Sequence, residues 1–447
     1  MRARLFGTDG IRDRANCGVL RPEDVVRVGR ALWVAIKRHG SPVLLASDTR
    51  ISRFMIVGAL QAGLTSTGLH VVDLGILPTP SLALLVPRLG GALGVMVSAS
   101  HNPVEDNGIK VLGASGEKLP DELERLIEEA LGSPDLPSPT GAGLGTVSLR
   151  SDAPRCYVEL VTETFRARGV DLRGLRIALD CAHGATAVTA PHILRELGAD
   201  VEVIGDEPDG TNINAGCGAV APGVMARLVI DRCCHLGMAL DGDGDRVILA
   251  DENGRVVDGD QMLAILALDW LRHGRLPGRR VVATVMSNLG LELALREAGI
   301  ELVRTPVGDR HVAEALRREG LNLGGENSGH IILPFGDRLI GDGTITGLEV
   351  ACRAAESGSL AALADCMTTF PQEIVNVRVR EKRPFDEIAG YRAAHDRAAA
   401  LLGAEGRVLV RYSGTEPVLR VMVEGRDGAL VKTVARELAE VLTRALS

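Results

Sequence analysis

No run in this 447-residue chain is long and apolar enough to cross a bilayer, which takes about 20 residues. The most apolar stretch, Met262 to Leu271, is interrupted by Asp269 and is expected to be a buried helix. The start, Met1 to Gly7, shows no signal-peptide apolar region. There is no excess of positive charge. A net charge of −8 and a pI near 5.8 count against a nucleic-acid or membrane-surface protein. The eight cysteines form no Cys-x-x-Cys pair, which excludes the usual zinc-site and disulfide frameworks and fits reduced thiols in the cytoplasm. There is no Gly-x-Ser-x-Gly elbow, which weakens a hydrolase triad. There is also no Gly-Lys-Ser/Thr, which removes the Walker A phosphate loop.

What the chain does have is Asp241-Gly242-Asp243-Gly244-Asp245, followed at once by Arg246. Three like charges this close repel unless a cation lies among them, and hard oxygen ligands suit Mg²⁺ or Ca²⁺. The glycines let alternate carboxylates converge on one ion. An arginine beside a metal suits an anionic ligand such as phosphate. An EF-hand reading would use Asp241, Asp243, Asp245 and Glu252, but Arg246 stands where that loop needs glycine. The flanks, Gly237 to Leu240 and Val247 to Ala250, read as strands. A solvated acidic hairpin turn is the plain alternative, and three carboxylates beside an arginine weigh against it.

Apolar residues make up 46% of the chain, enough for several cores. A strand–helix–strand unit recurs three times: Val43 to Ala46 with Leu69 to Val72, Arg176 to Leu179 with Val201 to Ile204, and Val281 to Thr284 with Ile300 to Val303. Gly68, Gly198 and Gly299 precede the second strands, where helix C-caps belong. This alternation predicts α/β sheets with parallel pairs. The breaker-rich stretch Gly132 to Pro139 predicts a linker, and further boundaries fall near Asp251 to Gly259 and Ser357 to Pro371. The tail, with strands at Glu373 to Val377, Val408 to Val410 and Leu419 to Val423, predicts a smaller α+β domain. The expected architecture is three similar mixed α/β domains plus a smaller C-terminal α+β domain around a central cleft. Their expected spans are 1–150, 151–255, 256–365 and 366–447.

Four other loops carry polar groups in unusual density. Ser98 to Pro103 follows an apolar strand, Leu93 to Val97. Its Ser100 suits a nucleophile or phosphate carrier, and an ordinary turn is an equal alternative. Downstream, Lys110 reads on its own as a solvated lysine. Gly324 to His330 sets Glu326, Ser328 and His330 between glycines, a composition suited to a polyhydroxylated ligand, although His330 alone reads as structural. Arg411 to Pro417, with Arg420 nearby, could cradle a phosphate or be a hairpin turn. Phe6 to Arg12 reads by itself as a surface turn.

Taken together, in this order and over essentially the whole chain, the loops resemble the α-D-phosphohexomutase superfamily, and within it the phosphoglucosamine mutase branch. Phe6 to Arg12, Ser98 to Pro103, Asp258 to Gln261, Val307 to Arg310, Arg411 to Pro417 and Arg420 to Gly425 carry the branch likeness. Two departures are Asp13, where glycine is usual, and Asn327, where glutamine is common. The resemblance implies an intramolecular phosphotransferase that carries a phosphoserine at Ser100 and binds Mg²⁺ through Asp241, Asp243, Asp245 and that phosphate. It implies acid/base roles for Lys110 and His330 and places Arg12 beside the phosphoserine. Arg246, Glu326, Ser328, Arg411, Ser413, Gly414, Thr415 and Arg420 would contact substrate. The implied reaction interconverts glucosamine 6-phosphate and glucosamine 1-phosphate through a 1,6-bisphosphate, with no nucleic-acid or membrane partner. A phosphomannomutase/phosphoglucomutase, or a catalytically silent sugar-phosphate-binding regulator, are the alternatives.

Overall fold

The strand Val43–Ser47 is buried at every position because both faces of its sheet are covered, and its unbroken apolar run reflects that. The computed structural model describes residues 5–7, 9–36, 40–413 and 417–446. The first sheet has six strands, in the spatial order Ile11–Arg14, Asp106–Gly113, Leu93–Val97, Val43–Ser47, Val71–Ile76 and Val147–Leu149. The second has five: Val256–Val257, Val247–Asp251, Leu236–Leu240, Arg176–Asp180 and Asp200–Ile204. The third also has five: Glu301–Thr305, Arg280–Thr284, Gly324–Gly325, Ile331–Phe335 and Arg338–Gly341.

These sheets share one plan that is longer than the recurrence visible in the sequence. In each, two strands joined by a helix lie parallel, a third joins in parallel, and a fourth returns antiparallel to the third. The sheets are therefore mixed, not purely parallel. The third strands are Leu93–Val97, Leu236–Leu240 and Gly324–Gly325, and the loops that follow them hold Ser100, the three aspartates and the Glu326–His330 segment. Three of the sequence-predicted loops thus occupy equivalent places in successive units.

Gly68, Gly198 and Gly299 lie one or two residues past their helix C-caps, at φ of 86°, 103° and 71°. That left-handed conformation is one a side chain resists. The segment Met262 to Leu271 lies within the helix Gly259–Arg272, opened by a reciprocal capping box between Asp258 and Gln261. Leu44, Met238 and Leu333 belong to a single apolar core that runs through the first three units. The last unit packs the helices Tyr391–Leu402 and Gly428–Leu446 on an antiparallel three-stranded sheet, Gln372–Arg378, Val418–Gly425 and Gly406–Tyr412.

Asn288 pins the start of the helix Leu289–Glu297 to Phe370, just before the last sheet begins at Gln372. Its side chain caps the helix Leu289–Glu297 by accepting from Gly290 N at 2.9 Å, accepts from Phe370 N at 3.0 Å and donates to Phe370 O at 3.0 Å. Truncation removes a cap worth about 1 kcal/mol and strands buried backbone groups at about 1–3 kcal/mol. Asn288→Ala should therefore lower unfolding free energy by about 2–4 kcal/mol in a denaturant titration. A loss below about 0.5 kcal/mol would mean water replaces the amide there.

Candidate active site

The hairpin between Leu236–Leu240 and Val247–Asp251 closes with Leu240 opposite Val247, which leaves Asp241 to Arg246 as its tip. Gly244 takes a φ of 75°, and a Cβ there would lie 2.4 Å from Thr186 Cγ2, so the turn requires glycine. The tip is buried: Asp241 and Asp243 are fully enclosed, and Asp245 is nearly so. One carboxylate oxygen from each lies within 4.8 Å of the others. Asp243 Oδ1 and Asp245 Oδ1 are buried without a hydrogen-bond partner. Burial, then Asp245 and Asp243, push the Asp241 carboxyl well above the ordinary carboxylate range. Unpartnered hard oxygens and strained like charges fit a divalent cation.

Ser100 meets this group from the first unit. Its Oγ donates to Asp241 Oδ2 at 2.6 Å and lies 3.2 Å from His101 Nδ1. Burial, then Arg246 and Arg12, lower His101 to about 4, so its ring is neutral at neutral pH. Arg12 reaches the same loop, with Nη1 at 3.4 Å from Asn102 Oδ1 and Nη2 at 2.6 Å from Asp9 Oδ2.

Lys110 is not the solvated lysine that its isolated context predicts. It lies on Asp106–Gly113, opposite Met96, and is buried. Its Nζ contacts Asp243 Oδ2 at 2.9 Å, Asp9 Oδ2 at 2.9 Å and Asp245 Oδ2 at 3.5 Å. Burial works against its charge, yet Asp243, Asp9 and Asp245 more than offset it and hold Lys110 well above the usual lysine value. In return, Lys110 and the Thr79 hydroxyl, which donates at 2.6 Å, outweigh burial and hold Asp243 below its ordinary range.

His330 lies close to one of the same carboxylates. It is buried at the wall of a cavity of about 920 Å³ shared with Lys110, Asp245 and Asp309, with its Nδ1 3.9 Å from Asp245 Oδ1. Glu326 accepts from Gly308 N at 3.0 Å, and Ser328 beside it is half-buried. Arg246 Nε lies 3.8 Å from Asp245 Oδ1. Burial opposes its charge, while Asp245, Asp241 and Glu326 draw it upward. Across the cavity, Lys118 Nζ bonds Asp9 Oδ1 and Asp309 Oδ2, both at 2.7 Å, and so joins the first unit to the third.

The last unit contributes a separate place. Arg411 and Arg420 face each other across the sheet register and line a cavity of about 150 Å³ with Met286 and Asn376. It shares no lining residue with the larger cavity. Burial, then Arg420, lower the proton affinity of Arg411, so an anion there would relieve like-charge repulsion. Ser413 is buried, with its N donating to Val418 O at 2.8 Å. Gly414 and Thr415 lie outside the described residues.

Sequence reading overlooked Thr79, Asp9, Lys118 and Asp309 as site-lining residues. Asp9 and Asp309 stand inside the Phe6 to Arg12 and Val307 to Arg310 segments, so the motif signal was present. Thr79, in Pro78-Thr79-Pro80, carries none.

Comparison with known proteins accounts for nearly all of the chain. Phosphoglucomutase/phosphomannomutase α/β/α domain I matches residues 3–137, domain II 155–254, domain III 258–370 and the C-terminal domain 374–441. A phosphoglucosamine mutase of Rhodospirillum centenum is 48% identical, covering 100% of this chain and 96% of its own. Another, from Thermoanaerobacter sp. (strain X514), is 46% identical and covers 100% of both chains. The crystal structure of a phosphoglucomutase/phosphomannomutase family protein from Burkholderia thailandensis superposes with a TM-score of 0.80 at 23% identity, over 100% of this chain and 98% of that one. Four domain matches in order, together with end-to-end identity near one half, make this chain a member of the phosphoglucosamine mutase family within the α-D-phosphohexomutase superfamily.

Proposed function

We propose that this enzyme interconverts glucosamine 6-phosphate and glucosamine 1-phosphate through a phosphoserine at Ser100 and a 1,6-bisphosphate intermediate. The observation that carries the reading is the buried Ser100 hydroxyl, 2.6 Å from Asp241 within the three-carboxylate group and beside a charged, enclosed Lys110. In this reading the chain divides at 1–150, 151–255, 256–365 and 366–447, with one loop of each serving the site.

In the forward direction the phosphorus–oxygen bond at Ser100 breaks, and a new bond forms to the sugar hydroxyl at carbon 1. His330, on the cavity wall, takes the proton that hydroxyl releases. Lys110, held protonated by its three carboxylates, offsets the charge of the transferring group and can protonate the departing serine oxygen. The bisphosphate then turns: the phosphorus–oxygen bond at carbon 6 breaks as that phosphoryl passes to Ser100, Lys110 takes back the serine proton, His330 returns its proton to the carbon-6 oxygen, and the 1-phosphate product leaves. Arg411, Ser413, Gly414, Thr415 and Arg420 hold whichever phosphate is not moving, while Glu326, Ser328 and Arg246 orient the sugar. Asp241, Asp243 and Asp245 with the seryl phosphate would hold Mg²⁺, which when bound offsets charge on the transferring phosphoryl. All eight cysteines are free thiols, which supports a cytoplasmic location, and among the described residues no helix is long and apolar enough to cross a membrane.

Steady-state assays with glucosamine 6-phosphate, glucose 1-phosphate and mannose 1-phosphate test the substrate. We expect kcat/KM for the amino sugar to exceed the others by at least about 10-fold, as polar sites discriminate when their groups would go unpaired. A preference for mannose 1-phosphate would remove the branch assignment, and no turnover on any of them would favour a silent binding protein. Arg411→Ala should raise KM about 10-fold or more in both directions, because one seat serves both orientations of the intermediate.

A further inference from the structure

Arg50 is among the largest side chains fully removed from solvent, and no motif pointed to it. It lies just past the strand Val43–Ser47, and its guanidinium is saturated. Nε bonds Asp48 Oδ2 at 2.9 Å, Nη1 donates to the carbonyls of Pro103 and Asp106, and Nη2 donates to Ser100 O at 3.0 Å and Asn102 O at 2.7 Å. A buried arginine persists when every donor is used in this way. Its target is the backbone of the serine loop, not a substrate.

The other side of Ser100 is held through the same carboxylate. Ser98 Oγ donates to Asp48 Oδ2 at 2.6 Å and accepts from Ser100 N at 2.9 Å. Both backbone polar groups of Ser100 are therefore fixed to one Asp48–Arg50 pair. Ser100 itself sits at a φ of 52°, a conformation that a non-glycine residue keeps only when its surroundings enforce it.

The second unit completes the clamp. Asn214 Nδ2 donates to the same Ser100 carbonyl at 2.9 Å. That carbonyl also lies against Gly242, where a Cβ would come within 2.6 Å of it. The Asp48–Arg50 turn is itself anchored on the second unit, with Thr49 Oγ1 donating to His183 O at 2.6 Å and Ile51 N to Gly210 O at 2.8 Å. The metal-loop unit and the serine loop thus share one set of contacts.

We propose that Arg50, Ser98 and Asn214 are positioning residues that lock the backbone of Ser100 so that its Oγ faces the Asp241 group. The proposal rests on Ser100 as the phosphoryl carrier. Misplacing a reacting atom by about 1 Å costs on the order of 100-fold in rate. The test uses the full-length enzyme and reads kcat, KM in both directions, thermal midpoint and the single-turnover rate at which phosphorylated Ser100 transfers to added sugar phosphate.

Arg50→Lys keeps the charge against Asp48 but loses the fork. It should lower kcat and the transfer rate about 100-fold with KM within about 3-fold. Should that variant not fold, Ser98→Ala and Asn214→Gly carry the test. Ser98→Ala removes the two Oγ bonds, to Asp48 and from Ser100 N, and Asn214→Gly removes the Nδ2 bonds to Ser100 O and Asn102 O while glycine accepts the φ of 56° at that position. Each should lower kcat about 10-fold at unchanged KM. A merely structural role would lower the thermal midpoint and leave turnover per folded molecule unchanged. Turnover within about 2-fold of the parent in both milder variants, or a loss carried by KM, overturns the proposal. Full activity in Ser100→Ala would instead remove the phosphoserine reading beneath it, so the two failures are distinguishable.

Discussion

Replacing Ser100 with alanine should cut mutase turnover by at least about 1,000-fold while the protein stays folded. The fold survives because the lost oxygen makes only two polar contacts among the described residues, to Asp241 and His101. Leaving Asp241 without that donor costs about 1–3 kcal/mol at most, and the Asp48–Arg50 clamp on the Ser100 backbone does not involve the hydroxyl. The variant keeps the cavity together with Arg411 and Arg420, so it should still bind sugar phosphate with near-parent affinity. Intact-mass measurement should find one phosphate on a fraction of the parent protein, at the peptide holding Ser100, and none on the variant. Activity near that of the parent would mean another group carries the phosphoryl.

How far the chain could be read in advance depends on how local the cause was. The strands at Val43, Arg176 and Val281 were legible because apolar runs bounded by glycine have a local cause, and they appear as Val43–Ser47, Arg176–Asp180 and Arg280–Thr284. The strands of the last unit were legible for the same reason. The equivalence of the three site loops was not. It depends on which strand each follows in its sheet, and sequence spacing does not reveal pairing.

Lys110 is the clearest failure of local reasoning. Its partners Asp243 and Asp245 stand 133 and 135 residues away, so nothing near it distinguishes it from a surface lysine. Thr79 meets Asp243 across 164 residues. Arg50 has the opposite problem: its partner Asp48 is only two residues away, but a salt-bridged surface turn would look the same. Only the carbonyls of residues 100–106, brought over by the fold, show that it is buried.

Asp243 supplies the second large effect. Its Oδ2 is taken by Lys110 and Thr79, while its Oδ1 is buried and unpartnered and is the atom left to face an ion. Asp243→Asn keeps the shape but removes one negative charge from a three-carboxylate site. Fewer charged ligands should weaken Mg²⁺ or Mn²⁺ binding by about 10–100-fold in calorimetric titration. With the transferring phosphoryl less well offset, turnover should fall by about 100-fold or more even at saturating metal. Lys110 keeps Asp9 and Asp245 in this variant, so its charge survives. Asp9→Asn separates the two roles, because it removes a Lys110 partner without touching the carboxylate group. It should lower turnover while metal affinity stays within about 3-fold of the parent. Chelation of the parent enzyme by EDTA should abolish activity, and added Mg²⁺ should restore it. Activity that persists through EDTA, or an Asp243→Asn protein that binds the ion as the parent does, would show that Asp243 serves Lys110 and Thr79 rather than an ion.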